Sequence, residues 1–257
     1  MSTEHIVTEI RDRILTIRLN RADKKNAISG AMYEAMTEAL IAGNANPEVR
    51  VVLFTGTDGC FCSGNDLVDF LNSPGDAGGR IVANFMHAVV DTGKPIVAAV
   101  TGPSIGVGTT VLLHCDLVYA AENARFQMPF VNIGICPEFA SSLLMPVIMG
   151  HPRAAELLLL GEAFTAAKAR EYGLVNAVLP EADVEAHARA QALKLAAQPP
   201  NAMRTAKSLL KRWTREQVKD VIGVEVNHFV PMLTQPEARE ALNAFMEKRK
   251  PDFSAFN

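Results

Sequence analysis

The sequence lacks what would tie it to a membrane, a nucleic acid or an oxidising compartment. None of its apolar runs is long enough to cross a bilayer, and MSTEHIVTEI at its start has neither the basic nor the apolar stretch of a secretion signal. Lys and Arg number 25 against 28 Asp and Glu, a net charge of −3, so there is no basic field for nucleic acid and no polybasic patch for anionic lipid. The four cysteines, Cys60, Cys62, Cys115 and Cys136, form no CxxC pair, which fits free thiols better than disulfides or zinc. Internal repeats and low-complexity tracts are absent, and Phe256-Asn257 is not a peroxisomal address. These absences lead to the expectation of a cytoplasmic protein with no nucleic-acid or membrane partner.

What is present is ordinary globular chain: 257 residues, 49% apolar and 21% charged, enough for one large domain or a domain with an appendage. Residues 5–10 and 13–19 alternate polar and apolar around Arg11-Asp12, which predicts a hairpin. Arg21 to Asn26 reads as a charged loop. Ser29 can cap a helix whose apolar positions, Met32, Ala35, Met36, Ala39 and Leu40, keep helical spacing. Val51–Phe54, Ile96–Val100, Leu117–Ala120 and Leu174–Leu179 read as buried strands, with a helix through Val82, Phe85, Met86 and Val89 after a glycine-rich loop at 72–79. Strands separated by helices imply parallel pairing in an α/β layer. From Pro137 on helices dominate, with Pro137 and Pro152 at first-turn positions. Val184, Ala188, Ala192 and Leu195 mark one helix, and Met203, Ala206, Leu209, Leu210 and Trp213 another. A boundary falls at Pro199-Pro200, dividing a core at 1–199 from a helical region at 200–257.

Two glycine-bearing turns follow strands. Gly102-Pro103-Ser104-Ile105-Gly106 matches GxSxG in a strand-to-helix context, so Ser104 is a candidate nucleophile, with His151, His187 and His228 available downstream. The alternative is a turn that aims free backbone N–H groups at a ligand, glycine permitting its close approach. Cys60 to Leu67 has the same character: Ser63-Gly64-Asn65-Asp66-Leu67 can expose the Asn65 N–H or form a plain Asx turn. Two strand-end turns, each offering an N–H, are the ingredients of an oxyanion hole. Glu138, after Pro137, heads an apolar helix expected over Phe139–Met149. A carboxylate there either answers the helix dipole or acts as a base. Phe126 to Met149 holds no other ionisable side chain except Cys136, and apolar surroundings raise a carboxyl pKa toward the range of a general base. His114, beside Cys115-Asp116, reads as a core or surface histidine rather than a metal ligand.

These stretches resemble the crotonase, or enoyl-CoA hydratase/isomerase, superfamily. The likeness runs through LNRADKKNAIS at 19–29, FCSGNDL at 61–67, TGPSIGVGTTVLLHCDLVYAAENARF at 101–126, PFVNIGICPE at 129–138, GLVNAVLP at 173–180 and PPNAMRTAK at 199–207. It implies a spiral of ββα units with a C-terminal helical oligomerisation region, and an acyl-CoA thioester whose carbonyl oxygen is held by the N–H groups of Asn65 and Val107. Ser104 then loses its claim as nucleophile. The two glutamates of family hydratases would stand at Thr110 and Phe130, neither able to move a proton. With Glu138 in CPEFASS, the chain looks most like the peroxisomal and bacterial isomerases that shift a 3-enoyl-CoA double bond to the 2-position; a hydratase or other crotonase-fold activity is the alternative. The resemblance places Ser63, Gly64, Asn65, Asp66 and Leu67 along the CoA and pantetheine path, Ala27 near the adenine, and Arg21, Lys24 and Lys25 near the phosphates, with basic residues near Lys248 a second set. Gly106 and Phe130 border the substrate, and the acyl tail is expected near the helix after Pro74 and near Phe130 and Phe139. It implies no metal or redox cofactor, and a homo-trimer or hexamer joined through the C-terminal helices.

Overall fold

The computed structural model describes residues 4–57, 59–66, 69 and 76–256, with side chains described from 79 onward in the last range. A hairpin opens it: β1 (Ile6–Arg11) and β2 (Ile14–Leu19) pair antiparallel around Asp12 and Arg13, both at positive φ. α1 (Gly30–Ala45) follows, its N-terminus capped by the Ser29 hydroxyl, which accepts from the Met32 N–H. Then come β3 (Val51–Thr55), α2 (Asp76–Asp91), β4 (Ile96–Val100), β5 (Pro103–Ile105), the one-turn α3 (Val107–Thr110) and β6 (Leu117–Ala121). The chain continues through β7 (Arg125–Gln127), α4 (Ser141–Met149), α5 (His151–Leu160), β8 (Phe164–Thr165), α6 (Ala166–Glu171), β9 (Ala177–Leu179) and α7 (Glu181–Ala196). It closes on α8 (Pro200–Lys211), α9 (Arg215–Met232) and α10 (Pro236–Met246).

The main sheet runs β1-β2-β3-β4-β6-β9, parallel after the hairpin, and β5-β7-β8 form a smaller sheet. β3 and β4 are buried along their whole length because both sheet faces are covered. Alternate residues go to opposite sides. Val52, Phe54, Ala98 and Val100 join Met32, Met36, Leu40, Phe85 and Met86 in the larger core, whereas Val51, Leu53, Val97 and Ala99 meet Val184, Ala188 and Ala192 of α7. The C-terminal helices pack back on this body: the Lys207 ammonium donates to Lys94 O at 2.6 Å and to Asp116 Oδ2 at 2.8 Å, and α9 lies against α2 and α4.

Three local expectations need correcting. The helix expected over Phe139–Met149 begins at Ser141, so Pro137 is not a first-turn proline and Glu138 lies in the loop before the helix. Phe139 and Ala140 adopt φ of 58° and 55°, left-handed values that no local pattern announces. The strand expected over Leu174–Leu179 is confined to Ala177–Leu179, since Leu174 and Val175 turn back on α6 through bonds to Ala169 O. The helix marked by Met203 to Trp213 ends at Lys211, leaving Trp213 just beyond it, and Leu209, Leu210 and Trp213 stand 58%, 82% and 78% exposed in the single chain.

Candidate active site

The site starts where β3 and β4 end. Beyond them the two glycine turns run side by side: Cys62 N donates to Pro103 O at 3.0 Å, and Ile105 N donates to Cys62 O at 2.9 Å. Glycine is required twice at this junction. A Cβ on Gly108 would sit 2.8 Å from the Cys62 Cβ and 2.9 Å from its carbonyl oxygen, too close for any side chain. Gly106 takes φ 55° and ψ −123°, a region barred to L-residues by their Cβ, and a Cβ placed there would reach the Gly64 Cα at 4.0 Å.

Both turns leave amides without an acceptor among the described residues, Asn65 in the first and Val107 in the second among them. Ile28 pairs with Asn65 as a parallel bridge, its N–H donating to Gly64 O and its O accepting from Asp66 N, both at 2.9 Å. That pattern turns the Asn65 N–H away from Ile28, onto the flank where Ile105 and Gly106 run. Val107 is the first residue of α3, where no intrahelical acceptor exists. Neither N–H has a partner among the described residues. The Asn65 side chain is itself fixed, its Oδ1 accepting from the Tyr33 hydroxyl at 2.5 Å.

Glu138 reaches the same place. It is 4% exposed, and its Oε1 accepts from the Thr110 hydroxyl, one turn of α3 beyond Val107. Burial pushes its carboxyl up to about 8; the Thr110 hydrogen bond works against that rise and the carboxylate of Glu225 adds to it. Tyr33 and Cys62 feel the Glu138 charge, which places α1 and the first turn beside it. His114 is buried, pushed down to about 3 by desolvation and therefore neutral; since a carbonyl can only accept, its Nε2 donates to Phe139 O at 2.8 Å, and its ring stacks on Phe139. It is a core histidine.

Other residues singled out from sequence take definite places. Ser104 is fully buried with its hydroxyl donated to Gly108 O at 2.8 Å, so its candidacy as a nucleophile is withdrawn. Arg21 was a phosphate candidate, but its Nη1 donates to Asp66 Oδ2 at 2.7 Å and Ala27 O at 3.0 Å, clamping the N-terminal loop to the first glycine turn. Lys24 and Lys25 stay exposed on that loop, while Ala27 and Ser63 are half-buried and joined to it, Ala27 N and the Ser63 hydroxyl both donating to Lys24 O. Phe130 shares the larger apolar core with Phe139. Leu67 and Pro74 lie outside the described residues, as do the side chains of 76–78 in the first turn of α2. Among the described residues no three His, Cys, Asp or Glu side chains gather as a metal site would require, and no helix is long and apolar enough to cross a membrane.

Sequence reasoning missed three residues. Asn26 is buried in the left-handed region; its Nδ2 donates to Cys60 O at 2.7 Å and its Oδ1 accepts from Arg21 N at 2.8 Å, tying the charged loop to the turn. The asparagine preference for left-handed turns was a usable signal. Tyr33 lies one helical turn after Ser29 on the apolar face of α1, where only its hydroxyl hints at another task. Glu225 on α9 carried no signal at all.

Fold, paired turns and buried carboxyl come together in one place, and the comparisons give the chain a family. The family model described as Enoyl-CoA hydratase/isomerase matches residues 9–255, and the chain belongs to that family, the crotonase family of acyl-CoA enzymes. It is 33% identical to Enoyl-CoA delta isomerase 3, peroxisomal, of Mus musculus over 96% of this chain and 80% of that one. It is 35% identical to Enoyl-CoA delta isomerase 2 of Rattus norvegicus over 93% of this chain, and spans 62% of that protein's length. The family is broader than one reaction, since 4-chlorobenzoyl coenzyme A dehalogenase-1 of Arthrobacter sp is 32% identical over 96% of this chain and 92% of its own. Among solved structures, that of Pseudomonas aeruginosa OdaA superposes with a TM-score of 0.92 at 48% identity, covering 95% of this chain and 99% of that one. The likeness establishes the crotonase fold expected from the sequence.

Proposed function

We propose that the protein is an enoyl-CoA isomerase that moves a 3-enoyl-CoA double bond to the 2-position with Glu138 as its one base. The observation that carries this reading is a buried carboxyl, raised to about 8, bonded through one oxygen to the helix that begins with an unpaired amide. The Asn65 and Val107 N–H groups hold the thioester oxygen. Glu138 takes the C2 proton on the oxygen that Thr110 leaves free, and the C2–H electron pair becomes part of a dienolate whose charge rests on the thioester oxygen. The same carboxylic acid returns the proton at C4, so no second acid is needed. Hydration would call for another proton-moving group, and Thr110 and Phe130 occupy the positions where family hydratases carry glutamates. Isomerase relatives at 33% and 35% identity favour the same choice.

On this reading Ser63, Gly64, Asn65, Asp66 and Leu67 follow the pantetheine, Ala27 faces the adenine, and Lys24 and Lys25 meet the CoA phosphates while Arg21 braces the loop. Gly106 and Phe130 border the acyl group. No cofactor beyond the CoA of the substrate takes part, and the enzyme serves acyl-CoA degradation in the cytoplasm, in keeping with four free thiols. It works as a trimer or hexamer whose contacts include exposed Leu209, Leu210 and Trp213. The deciding experiment is Glu138→Gln assayed on a 3-enoyl-CoA ester. General-base removal costs about 10²–10⁴ in rate, and turnover within a few-fold of the parent would remove Glu138 from the mechanism.

A further inference from the structure

A second carboxylate stands behind Glu138. Phe139 and Ala140, which follow the base, both occupy the left-handed region at φ 58° and 55°, a conformation that L-residues hold only when their surroundings enforce it. α4 starts at once after them and has no side-chain cap of its own. The missing cap comes from α9, some 85 residues on: Glu225 Oε2 accepts from Ala140 N at 2.5 Å. Its Oε1 accepts from Ser142 N at 3.1 Å and from the Ser142 hydroxyl at 2.6 Å. From the other side the His114 imidazole donates to Phe139 O. The Phe139–Ala140 peptide is thus held from both sides by buried side chains of distant elements, its C=O by His114 and its N–H by Glu225, and Glu138 is the residue this turn presents.

We infer that Glu225 is a positioning residue: by holding the Phe139–Ala140 turn it sets the Glu138 carboxyl against Thr110 and the unpaired amides of Asn65 and Val107. The inference rests on the isomerase reading above and deepens it. The C-terminal helices then enter the catalytic geometry of their own chain. The groups that act on or feel Glu138 are Thr110 of α3, Tyr33 of α1, Cys62 of the first turn, Cys136 of the loop before it and Glu225 of α9, with no cation among them. Glu225 therefore also adds a negative neighbour that favours the protonated base.

The test is a double-mutant cycle on a 3-enoyl-CoA ester using Glu225→Gln, Glu138→Gln and the pair. An amide at 225 keeps the volume but leaves one accepting oxygen for the three donors that two oxygens now serve. Glu225→Gln is expected to lower kcat about 10–100-fold, the size of effect that misplacement of a reacting group produces, with KM held within about twofold. The acid limb of its kcat/KM profile is expected to move to lower pH. In the Glu138→Gln background the same change is expected to do nothing more, because its route to the chemistry is already gone. Unchanged kcat, an equal further fall in both backgrounds, or a KM rise with kcat intact would each overturn the assignment. Should Glu225→Gln not fold, Ser142→Ala removes one donor from the same carboxylate; a several-fold fall in kcat at constant KM is expected, and parental kcat would overturn the role. Full turnover in Glu138→Gln would bring down the isomerase reading as well, whereas a dead Glu138→Gln beside a parental Glu225→Gln would bring down only the part given to Glu225.

Discussion

The Glu138 carboxyl is held between opposing influences, and each can be moved separately. Burial carries it up to about 8, so near neutral pH much of the unliganded enzyme holds its base protonated. In the proposed mechanism the deprotonated form is the base, so kcat/KM should climb with pH and level off near pH 8, as a pH–rate profile on a 3-enoyl-CoA would show. Thr110→Val removes a donor that favours the charged form, and the acid limb should move up, opposite to the shift expected of Glu225→Gln. Stability follows the same group. Its folded pKa lies above its ordinary 4.5, so the fold binds the proton more tightly than the unfolded chain does. The resulting penalty is absent below about 4.5, grows as pH rises toward 8, and is complete beyond it. Glu138→Gln should therefore melt higher than the parent at about pH 9 by several degrees, with the gap closing by about pH 4. A gap that stays constant across that range would show that the carboxyl is not desolvated.

The two glycine turns work as one element, and Gly106 is the place to test it. A methyl group at 106 meets little, its nearest neighbour being the Gly64 Cα at 4.0 Å, so Gly106→Ala introduces backbone strain with almost no clash. The φ of 55° with ψ of −123° should cost about 1–3 kcal/mol, read as a lowered Tm. The Val107 N–H should swing with it, lowering kcat more than it raises KM. Parental kcat in a folded Gly106→Ala would separate that amide from the chemistry. Glycines after apolar strands are a local pattern, which is why both turns, and the strands that carry them, were legible in the sequence. The lone acid in apolar surroundings was legible too. What could not be read is what holds these pieces: Tyr33 to Asn65 spans 32 residues, Asn26 to Cys60 spans 34, and Glu225 to Ala140 spans 85. Periodicity reports which face of an element is buried, not which distant carboxylate will cap it. The helix start at Ser141 was misread for that reason, since without Glu225 the left-handed Phe139–Ala140 turn has no visible cause.

At the scale of the whole molecule, α8 is amphipathic the wrong way round for an isolated chain. Its one buried residue is Lys207, whose ammonium is fixed by Lys94 O and Asp116, while Leu209 and Leu210 point outward, followed by Trp213 just beyond the helix. Phe245 and Met246 at the end of α10 are likewise 71% and 64% exposed. Apolar side chains this large, close together on adjacent turns, are what a subunit contact needs and what a monomer avoids. Because the anchor is polar and separate from the apolar stripe, the two can be altered independently. The paired change Leu210→Glu with Trp213→Ser should leave the far-ultraviolet circular dichroism intact and convert a trimer or hexamer into monomer, as sedimentation velocity would record. The parental Tm should rise with protein concentration, because association stabilises only the folded chain, and that dependence should vanish in the variant. A parent that sediments as a monomer at micromolar concentration would leave the outward stripe without its purpose, and the C-terminal helices would then matter only through what α8 and α9 do inside their own chain.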